Sequence, residues 1–402
     1  MNKERPRVAF FPCVYHEIDG VAKTSRHFEE FAKRHNLPLL MVHAGPRNTT
    51  TTTGSVTNIE LRRSPIKFPL DRAHEYDLLF SRHCRNLEPR VRDFRPDLIQ
   101  ITGPSDVGMF GALIAHRLGI PLAASWQTNL HQYARSRAAA AVSFLPQTVT
   151  SNFLDALKRA SFRAAARFYK IPQLLFAPNQ EIMQSLETAT GKPCFLMSHA
   201  VDTDVFRPEL RNRQGGPFQI GYVGRLTAEK GVRSLARLEE TLLAMGHRDF
   251  QIVVVGEGAE ESWLREHMRQ ADFRGVLTGL ELSQAFANFD LLAFPSETDT
   301  FGLVVLEAFA SGVPAVVTGS GGPKFTVRHG ETGYVAYNFE EFAAFTAMLM
   351  MRPDMLAEMR VAAREQALTT SWDRIFEGMY ETYENVLFPA VAGHSVFNVA
   401  TT

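Results

Sequence analysis

Short, continuous apolar runs alternate along the chain with longer segments of helical spacing, and this alternation limits the possible folds more than any other feature. A strand that is apolar at every position is buried on both faces, as in parallel sheets covered by helices. The alternation therefore predicts an α/β protein with parallel sheets. The runs interpreted as strands are VAFF at 8–11, PLLMV at 38–42, DLIQI at 97–101, PLAAS at 121–125, QIGYV at 219–223, QIVVV at 251–255, DLLAF at 290–294 and PAVV at 314–317.

The polar, Pro- and Gly-rich segment RPELRNRQGGP at 207–217 predicts a linker between two Rossmann-like halves. We expect an N-terminal domain over residues 1–205, a C-terminal domain over 206–370, and a last helix and tail over 371–402 that return to the N-terminal domain. The low-complexity run NTTTTTGS at 48–55 is interpreted as a mobile loop.

Composition excludes several classes of protein. The chain has 43 Lys and Arg against 43 Asp and Glu, so it lacks the basic excess of a protein that coats nucleic acid. Cys13, Cys84 and Cys194 form no CxxC pair, which argues against a zinc site or a disulfide framework and favours a reducing cytoplasm. The first apolar run is too short for a signal peptide, and no run of about 18 apolar residues predicts a membrane span.

The segment PSETDTFGLVVLEAFASGVPAVV at 295–317 is the strongest candidate for chemistry. Its apolar spacing predicts a helix that begins near Gly302, and the backbone N–H groups at such a helix start suit phosphate oxygens. Glu307, about one turn into that helix, can accept two hydroxyl hydrogen bonds, as from a ribose. The competing interpretation of Glu307 is an ordinary surface salt bridge.

A second candidate is GYVGRLTAEKGV at 221–232. Gly224 permits a sharp turn after a strand, and Arg225 and Lys230 follow at the expected start of a helix. Two cations at that place make a diphosphate site, whereas the alternative is two solvated surface charges.

Two weaker glycine-rich segments follow buried strands. VVVGEGAEE at 253–261 contains Gly256 and Gly258 but has Glu261 where a dinucleotide fingerprint needs its third glycine, so a hydride-transfer cofactor is not favoured. The alternatives are a tight turn or a backbone approach to a nucleotide. TGSGGPKF at 318–325 is either a backbone nest for an anion or a flexible loop.

The N-terminal half supplies further polar candidates. Gly20 follows Asp19 before an amphipathic helix, so its backbone is a candidate for contact with phosphates, although Asp19 as a helix cap needs no ligand. After the strand at 121–125, WQTNLHQYAR brings together polar side chains of the kind that face a crevice in α/β folds, namely Gln127, Asn129, His131 and Arg135.

Taken together, these segments resemble the retaining glycosyltransferases of family 4, which have the GT-B fold, and look nearest to α-mannosyltransferases and glycolipid glycosyltransferases. The resemblance covers nearly the whole chain, and the order and spacing of the motifs are its most specific part. It implies two facing Rossmann-like domains with a cleft between them. The segments that carry it are DGVAKTSRHF, QTNLHQYA, HAVDTDVFRP, YVGRLTAEKGV, VVVGEGAE, LTGL, ETDTFGLVVLEAFASGVPAVV and SWDRIFEGMY.

The resemblance also implies roles for individual residues. Arg225 and Lys230 would stabilise the departing nucleotide in place of a metal, with Asp299 and Gln127 beside the reacting sugar and Glu307 on the ribose. Asp202 is expected to fix a turn. The remaining expected donor contacts are Gly20, Gly224, Gly256, Leu280, Phe301, Gly302 and Leu303.

Two departures from the family pattern concern the reacting centre. The family usually has Glu where this chain has Asp299, which is one methylene shorter and bears on sugar preference. The family often has His where this chain has Gln127, a change that bears on rate or acceptor handling. His131 lies near in sequence and is not assigned the missing role.

The implied reaction moves a hexose from a nucleoside diphosphate sugar, GDP-mannose or a UDP-hexose, to a lipid or glycan hydroxyl with an α-linked product. No cofactor and no metal are expected. The alternatives are a nucleotide-sugar 2-epimerase on the same fold and a non-catalytic sugar-nucleotide binding protein.

The segment 153–170 predicts a basic amphipathic helix. Its predicted apolar face contains Phe153, Leu154, Leu157, Ala164 and Phe168, and the basic residues are Arg159, Arg163 and Arg167. Such a helix suits peripheral contact with an anionic membrane, and equally a solvated face packed on its own domain.

Overall fold

The computed structural model describes residues 5–16, 20–69, 75–127 and 160–388. They form two compact units. The first contains the described residues of 1–127, 165–197 and 372–402, and the second contains those of 128–164 and 198–371.

The first unit is built on an eight-stranded sheet in the order β10-β9-β8-β7-β1-β2-β4-β3, with a separate two-stranded ribbon of β5 and β6. Only β3 runs antiparallel to its neighbour within the large sheet. The strands are β1 (Val8–Phe11), β2 (Leu39–Gly45), β3 (Thr49–Thr53), β4 (Val56–Arg62), β5 (Lys67–Pro69), β6 (Glu75–Asp77), β7 (Leu98–Ile101), β8 (Leu122–Ser125), β9 (Leu174–Ala177) and β10 (Cys194–Leu196).

The prediction of a mobile loop at 48–55 is wrong. Thr49–Thr53 form β3, whose five residues are all exposed at the sheet edge. The pairing of Thr53 with Val56 leaves a two-residue hairpin turn that begins with Gly54. Threonine is β-branched and favours strands, so this repetitive run extends the sheet once a neighbouring strand is available.

The second unit contains a six-stranded, fully parallel sheet in the order β13-β12-β11-β14-β15-β16. Its strands are continuous apolar runs and form the centre of a large buried core. They are β11 (Phe218–Val223), β12 (Phe250–Val255), β13 (Ala271–Phe273), β14 (Leu291–Phe294), β15 (Ala315–Thr318) and β16 (Gly333–Ala336).

Helices cover both sheets, and several begin and end with standard capping residues. Asn179, for example, accepts a hydrogen bond from the N–H of Ile182, and Gly191 ends the same helix in the left-handed conformation. The helices with complete bounds are α1 (Gly20–Arg34), α2 (Cys84–Phe94), α3 (Asp106–Leu118), α4 (Gln180–Thr190), α5 (Arg233–Ala244), α6 (Glu261–His267), α7 (Gly279–Asn288), α8 (Leu303–Ala310), α9 (Phe339–Met351), α10 (Pro353–Leu368) and α11 (Trp372–Leu387).

The last helix, α11, packs on the first unit. The ring of Phe376 lies 5.1 Å from that of Phe28 on α1, and Tyr383 Oη donates a 3.0 Å hydrogen bond to Gln100 on β7. Arg5 pairs with Glu377. These contacts bury one face of α11 against residues from the start of the chain.

The segment 207–217, expected to be a linker, lies within the second unit. Arg211 and Arg213 each place a guanidinium nitrogen 2.7 Å from the Asp290 carboxylate, which tethers the segment to the residue before β14. All eight strands predicted from the apolar runs are present, with ends that differ by at most a few residues.

Only part of the predicted basic helix at 153–170 falls within the described residues, where 160–168 are helical. Arg163 and Arg167 are exposed, as expected. Ala164, placed on the apolar face by the sequence, is also exposed, and Ala166 and Tyr169 are buried instead. Tyr169 packs its ring 4.9 Å from that of Trp126, so the residues buried here differ from those that the spacing predicted.

Candidate functional site

The strand order of the second unit reverses between β11 and β14. From this point, β12 and β13 extend the sheet on one side and β15 and β16 extend it on the other. In parallel α/β sheets, ligands bind outside the carboxyl ends of the strands at such a reversal, because the loops diverge and leave a crevice. The loops that follow β11 and β14 therefore define the candidate site.

Lys230 and Asp299 join these two loops. Lys230 Nζ lies 2.6 Å from Asp299 Oδ1, and only 13% and 20% of the two side chains remain exposed. The sequence predicted that Lys230 binds a diphosphate and that Asp299 binds sugar hydroxyls. The structure brings the two residues into direct contact at the reversal of the sheet.

The electrostatics of this contact keep Asp299 ionised at neutral pH. Burial alone would raise its pKa, but the charge and hydrogen bond of Lys230, the Ser296 hydroxyl and the charge of Arg225 together hold the pKa below its ordinary value. Burial, followed by the negative charge of Asp299, raises the pKa of the Tyr222 phenol. The Tyr222 hydroxyl donates a 3.0 Å hydrogen bond to the Arg225 carbonyl and so fixes the backbone of the first loop.

Arg225 is the more accessible of the two predicted cations. Its side chain is 41% exposed and lies 3.8 Å from the Glu229 carboxylate. The helix expected to start beside Arg225 and Lys230 starts later, at Arg233. A short 3-10 turn precedes it and ends at Gly231, whose φ of 66° interrupts a regular helix. The positive potential at this point therefore comes from side chains more than from a helix N-terminus.

Gly224 and Gly256 pack backbone against backbone after β11 and β12. The Gly224 N–H donates to the Val255 carbonyl at 3.0 Å, and the Gly256 N–H donates to the Gly275 carbonyl at 2.7 Å. A Cβ atom on Gly256 would overlap the carbonyl oxygen of Gly224. This close approach supports the tight-turn interpretation of the segment that contains Gly256.

The predicted helix start near Gly302 is confirmed to within one residue, since α8 begins at Leu303. Gly302 has a φ of 83°, and a Cβ there would lie 2.8 Å from Pro323 Cγ. Glu307 is only 6% exposed. That burial contradicts a solvated surface salt bridge and favours the interpretation in which the carboxylate binds a polar partner.

The glycine-rich segment at 318–325 supports the loop that contains Asp299. The Gly322 N–H donates a 2.6 Å hydrogen bond to the Asp299 carbonyl, and the Gly319 N–H donates a 2.6 Å hydrogen bond to the Ala336 carbonyl. Because these two amides are already used within the protein, they do not belong to an anion nest. The Gly322 bond ties the segment to the loop that contains Asp299.

His199 is a candidate positioning residue that sequence reasoning missed. It is 6% exposed, and its ring centroid lies 4.6 Å from that of Phe301, next to Gly302. Burial lowers the pKa of His199 to about 4, so the ring is neutral at pH 7. Its place in the segment HAVD, just ahead of the turn at Asp202, was the available signal.

Two other predicted residues have clear positions in the second unit. Leu280 is 61% exposed at the second position of α7. Asp202 accepts hydrogen bonds from the N–H groups of Asp204 at 3.0 Å and Val205 at 3.2 Å. The predicted structural role of Asp202 in a turn is thereby confirmed.

The remaining predicted residues belong to the first unit or are not described. Gly20 is the first residue of α1, and Gln127 follows β8 with 7% exposure. The predictions for Asp19, Asn129, His131, Arg135 and Arg159 lie outside the described residues, as do those for Phe153, Leu154 and Leu157. None of the helices that the structure describes is long and apolar enough to span a membrane.

Comparison with known proteins identifies the family. The family described as "Glycosyl transferases group 1" matches residues 217–351, which include both loops of the candidate site. A GDP-mannose-dependent α-mannosyltransferase of Mycobacterium tuberculosis is 30% identical over 312 residues, covering 74% of this chain and 75% of that protein. The chain belongs to the group 1 glycosyltransferases. A GDP-mannose-dependent α-mannosyltransferase of Corynebacterium glutamicum is 27% identical over 92% of this chain and 86% of its own length.

Solved structures show that this group 1 glycosyltransferase has the predicted GT-B fold. Sucrose-phosphate synthase from Thermosynechococcus elongatus superposes with a TM-score of 0.74 at 16% identity, over 96% of this chain and 100% of that one. HepE from Anabaena, in complex with UDP and glucose, gives a TM-score of 0.65 at 18% identity, over 94% and 100% of the two chains.

Family membership confirms that the protein is a glycosyltransferase of the nucleotide-sugar-dependent kind. Transfer that retains the configuration and gives an α-linked product fits this family. The individual roles assigned from the resemblance to the site residues remain predictions.

Proposed function

We propose that this glycosyltransferase transfers mannose from GDP-mannose to a hydroxyl of a lipid or glycan acceptor, with retention of the α configuration. The observation that carries the proposal is the Lys230–Asp299 pair at the reversal of the sheet. Two relatives that cover 92% and 74% of the chain are GDP-mannose-dependent α-mannosyltransferases, which supports this donor. A UDP-hexose is the alternative donor, supported by the neighbour that binds UDP and glucose.

The negative charge that develops on the leaving diphosphate is the main contribution to the activation free energy that the site has to lower. Arg225 and Lys230 supply two positive charges near one another without a divalent ion, so we propose that transfer is metal-independent. The exposure of Arg225 leaves it accessible to a donor, while Lys230 stays paired with Asp299. Asp299 would accept hydrogen bonds from sugar hydroxyls through the rest of its carboxylate.

The rest of the donor is assigned to the loop before α8 and to the helix itself. We propose that Glu307 holds the ribose hydroxyls and that the backbone of Phe301, Gly302 and Leu303 contacts the sugar and phosphate. Leu280 is proposed to lie by the base, and Gly224 and Gly256 to shape the turns beneath the diphosphate. The roles of Gly20 and Gln127 remain predictions from the family resemblance.

The proposed chemical step occurs on one face of the sugar. The bond between C1 and the diphosphate oxygen breaks as the acceptor oxygen bonds to C1 from the same side. The departing phosphate oxygen takes the acceptor's proton, and Arg225 and Lys230 stabilise the negative charge that develops and remains on the diphosphate. No carboxylate is assigned as a nucleophile, so the route contains no covalent glycosyl-enzyme.

The first experiment measures donor binding by calorimetry in buffer containing EDTA. The panel is GDP, UDP and ADP with their common sugars, tested on wild type, Glu307→Ala and the exposed control Glu281→Ala. We expect GDP-mannose to bind best, and Glu307→Ala to weaken binding by roughly 10- to 100-fold because two charge-assisted hydrogen bonds are lost. No binding across the panel would contradict the proposed donor site.

The second experiment measures turnover with glycolipid and oligosaccharide acceptors at saturating donor, and the anomeric configuration of the product by NMR. We expect Arg225→Ala to reduce kcat at least 100-fold, since it removes charge that stabilises the leaving group. Arg233→Ala is the control, because Arg233 is 59% exposed and pairs with Glu260 in the same region. An Arg225→Ala enzyme with full kcat would refute the assigned role.

The same assays distinguish the two alternative functions. Release of free nucleotide together with an epimerised sugar in the absence of acceptor would indicate a 2-epimerase. Donor binding without turnover on any acceptor would indicate a sugar-nucleotide binding protein. The departures from the family pattern at Asp299 and Gln127 are the reason for testing this outcome.

We propose a cytoplasmic location with peripheral contact at an anionic membrane surface. The exposed side chains of Arg163 and Arg167 support this proposal. Sedimentation with vesicles that contain anionic lipid tests it, with neutral vesicles as the control. Equal recovery with both kinds of vesicle would contradict it.

A further inference from the structure

Three potential metal ligands meet in the first unit, apart from the donor site. They are His16, His43 and Glu60, whose ligand atoms all lie within 4.8 Å of one another. His16 Nε2 is 3.4 Å from Glu60 Oε2. Adjacent ligands on a tetrahedral zinc-sized ion, with bond lengths near 2.0–2.2 Å, are separated by about 3.3–3.6 Å. The cluster is therefore close to the spacing that a shared ion requires.

Two of these ligands are held on a rigid platform. His43 on β2 and Glu60 on β4 are paired in register on adjacent parallel strands, so their side chains lie on the same face of the sheet. Glu60 Oε1 accepts a 2.8 Å hydrogen bond from the Arg47 N–H, which leaves Oε2 directed at His16. A Cβ on Gly45 would lie 2.5 Å from Glu60 Cδ, so the glycine makes room for this carboxylate.

The hydrogen bonds of His43 match those of a metal ligand. Its Nδ1 lies 3.1 Å from the Ala44 carbonyl, and in the tautomer whose Nδ1–H donates to that carbonyl the lone pair is on Nε2. Nε2 lies 2.8 Å from Asn58 Oδ1. The Asn58 amide nitrogen donates to Glu29 at 3.3 Å, which favours this orientation of the amide. Nε2 and Asn58 Oδ1 would then both offer lone pairs to an ion, and a tetrahedral site would hold them about 0.5–0.8 Å further apart than the 2.8 Å between them here.

His16 approaches the platform because Tyr15 fixes the chain before it. The Tyr15 ring stacks on His43 with centroids 4.0 Å apart and planes at 11°. Its hydroxyl donates to Glu29, and its carbonyl accepts from Arg26.

We propose that His16, His43 and Glu60, with Asn58 Oδ1 as a fourth ligand, bind one divalent transition-metal ion of the Zn²⁺ type. Two imidazoles with carboxylate and amide oxygens are a donor set for such borderline ions. The ion would fasten the segment that precedes α1 to β2 and β4. Its role is separate from the diphosphate chemistry, which is assigned to Arg225 and Lys230 without a metal.

Cobalt substitution tests the site directly. Tag-free full-length protein, stripped with chelator and dialysed, is titrated with Co²⁺ while the visible d–d absorption is recorded, and Zn²⁺ is then used to displace the Co²⁺. We expect one Co²⁺ per chain in wild type, and binding at least tenfold weaker in His16→Ala and in Glu60→Gln. His116→Ala is the matched control, since His116 is an exposed imidazole of the same unit.

His16 is half exposed, so its removal should leave the fold intact, and circular dichroism checks this for each variant. Absorption no stronger than that of aqueous Co²⁺ would overturn the proposal. So would equal affinity in wild type and the His16→Ala variant. Both readouts are independent of glycosyl transfer, so failure of the metal site and failure of the proposed function are distinguishable.

Discussion

Replacement of Lys230 by methionine tests whether its pairing with Asp299 holds the candidate site together. The variant keeps an apolar stem but leaves the Asp299 carboxylate without its nearest cation. Truncating one partner of a buried pair costs about 3–5 kcal/mol. Because 13% and 20% of the two side chains remain exposed, solvent reduces the penalty, and we expect about 2–3 kcal/mol of lost stability in the second unit.

A double-mutant cycle isolates the contribution of the pair. Urea unfolding at pH 7, followed by circular dichroism, is measured for wild type, Lys230→Met, Asp299→Asn and the double variant. We expect the second substitution to cost much less when the first is present, with a coupling energy of about 1–2 kcal/mol. Additive effects, with coupling below about 0.5 kcal/mol, would refute the reasoning.

The pH dependence of the cycle follows from the direction of the Asp299 pKa shift. Its folded pKa is lower than the ordinary value of 3.8, so its contribution is present above that value and is lost as pH falls through the folded pKa. The stability difference between wild type and Lys230→Met should therefore shrink in acid. A difference that stays constant from pH 7 to pH 3 would mean that the ion pair is not its cause.

Three further predictions concern stability. The folded pKa of His199 is about 4, against 6.5 in the unfolded chain. As pH falls from 6.5 to 4, protonation of the unfolded chain should therefore lower the free energy of unfolding by roughly 2–4 kcal/mol. Urea titrations of His199→Asn should lack this pH dependence. Gly256→Ala should cost about 2–4 kcal/mol through the overlap described above, whereas Gly378→Ala, in open space on α11, should be neutral or stabilising in the same assay. Tyr383→Phe should cost about 1–2 kcal/mol by leaving buried Gln100 without its donor, measured as a lower midpoint of thermal unfolding; an unchanged midpoint would contradict this.

Much of the fold was predictable because parallel strands buried on both faces have an unmistakable sequence pattern. VAFF at 8–11 and QIVVV at 251–255 lie in strands with almost the predicted ends. The Thr49–Thr53 strand was missed because its residues are polar and exposed, and its pairing with β4 is a tertiary effect. The same limit explains Ala164, whose exposure depends on how the helix packs and not on its own spacing.

The candidate site was predictable in its chemistry and less so in its contacts. Motif positions identified Lys230, Asp299 and Glu307 as charged groups after buried strands. The direct pairing of Lys230 with Asp299 could not be foreseen, because it depends on the strand order that places β14 beside β11. His199 was missed for a related reason, since its contact with Phe301 joins segments about 100 residues apart.

The return of α11 to the first unit has a consequence for how the protein is made. The last helix supplies Phe376 to Phe28 and Tyr383 to Gln100, so a ribosome has synthesised the whole second unit before these partners are available. The first unit therefore stays incomplete, with the α1 surface that α11 buries still exposed, while the second unit can form its core. In the growing chain, the order of folding is expected to be the reverse of the order of synthesis.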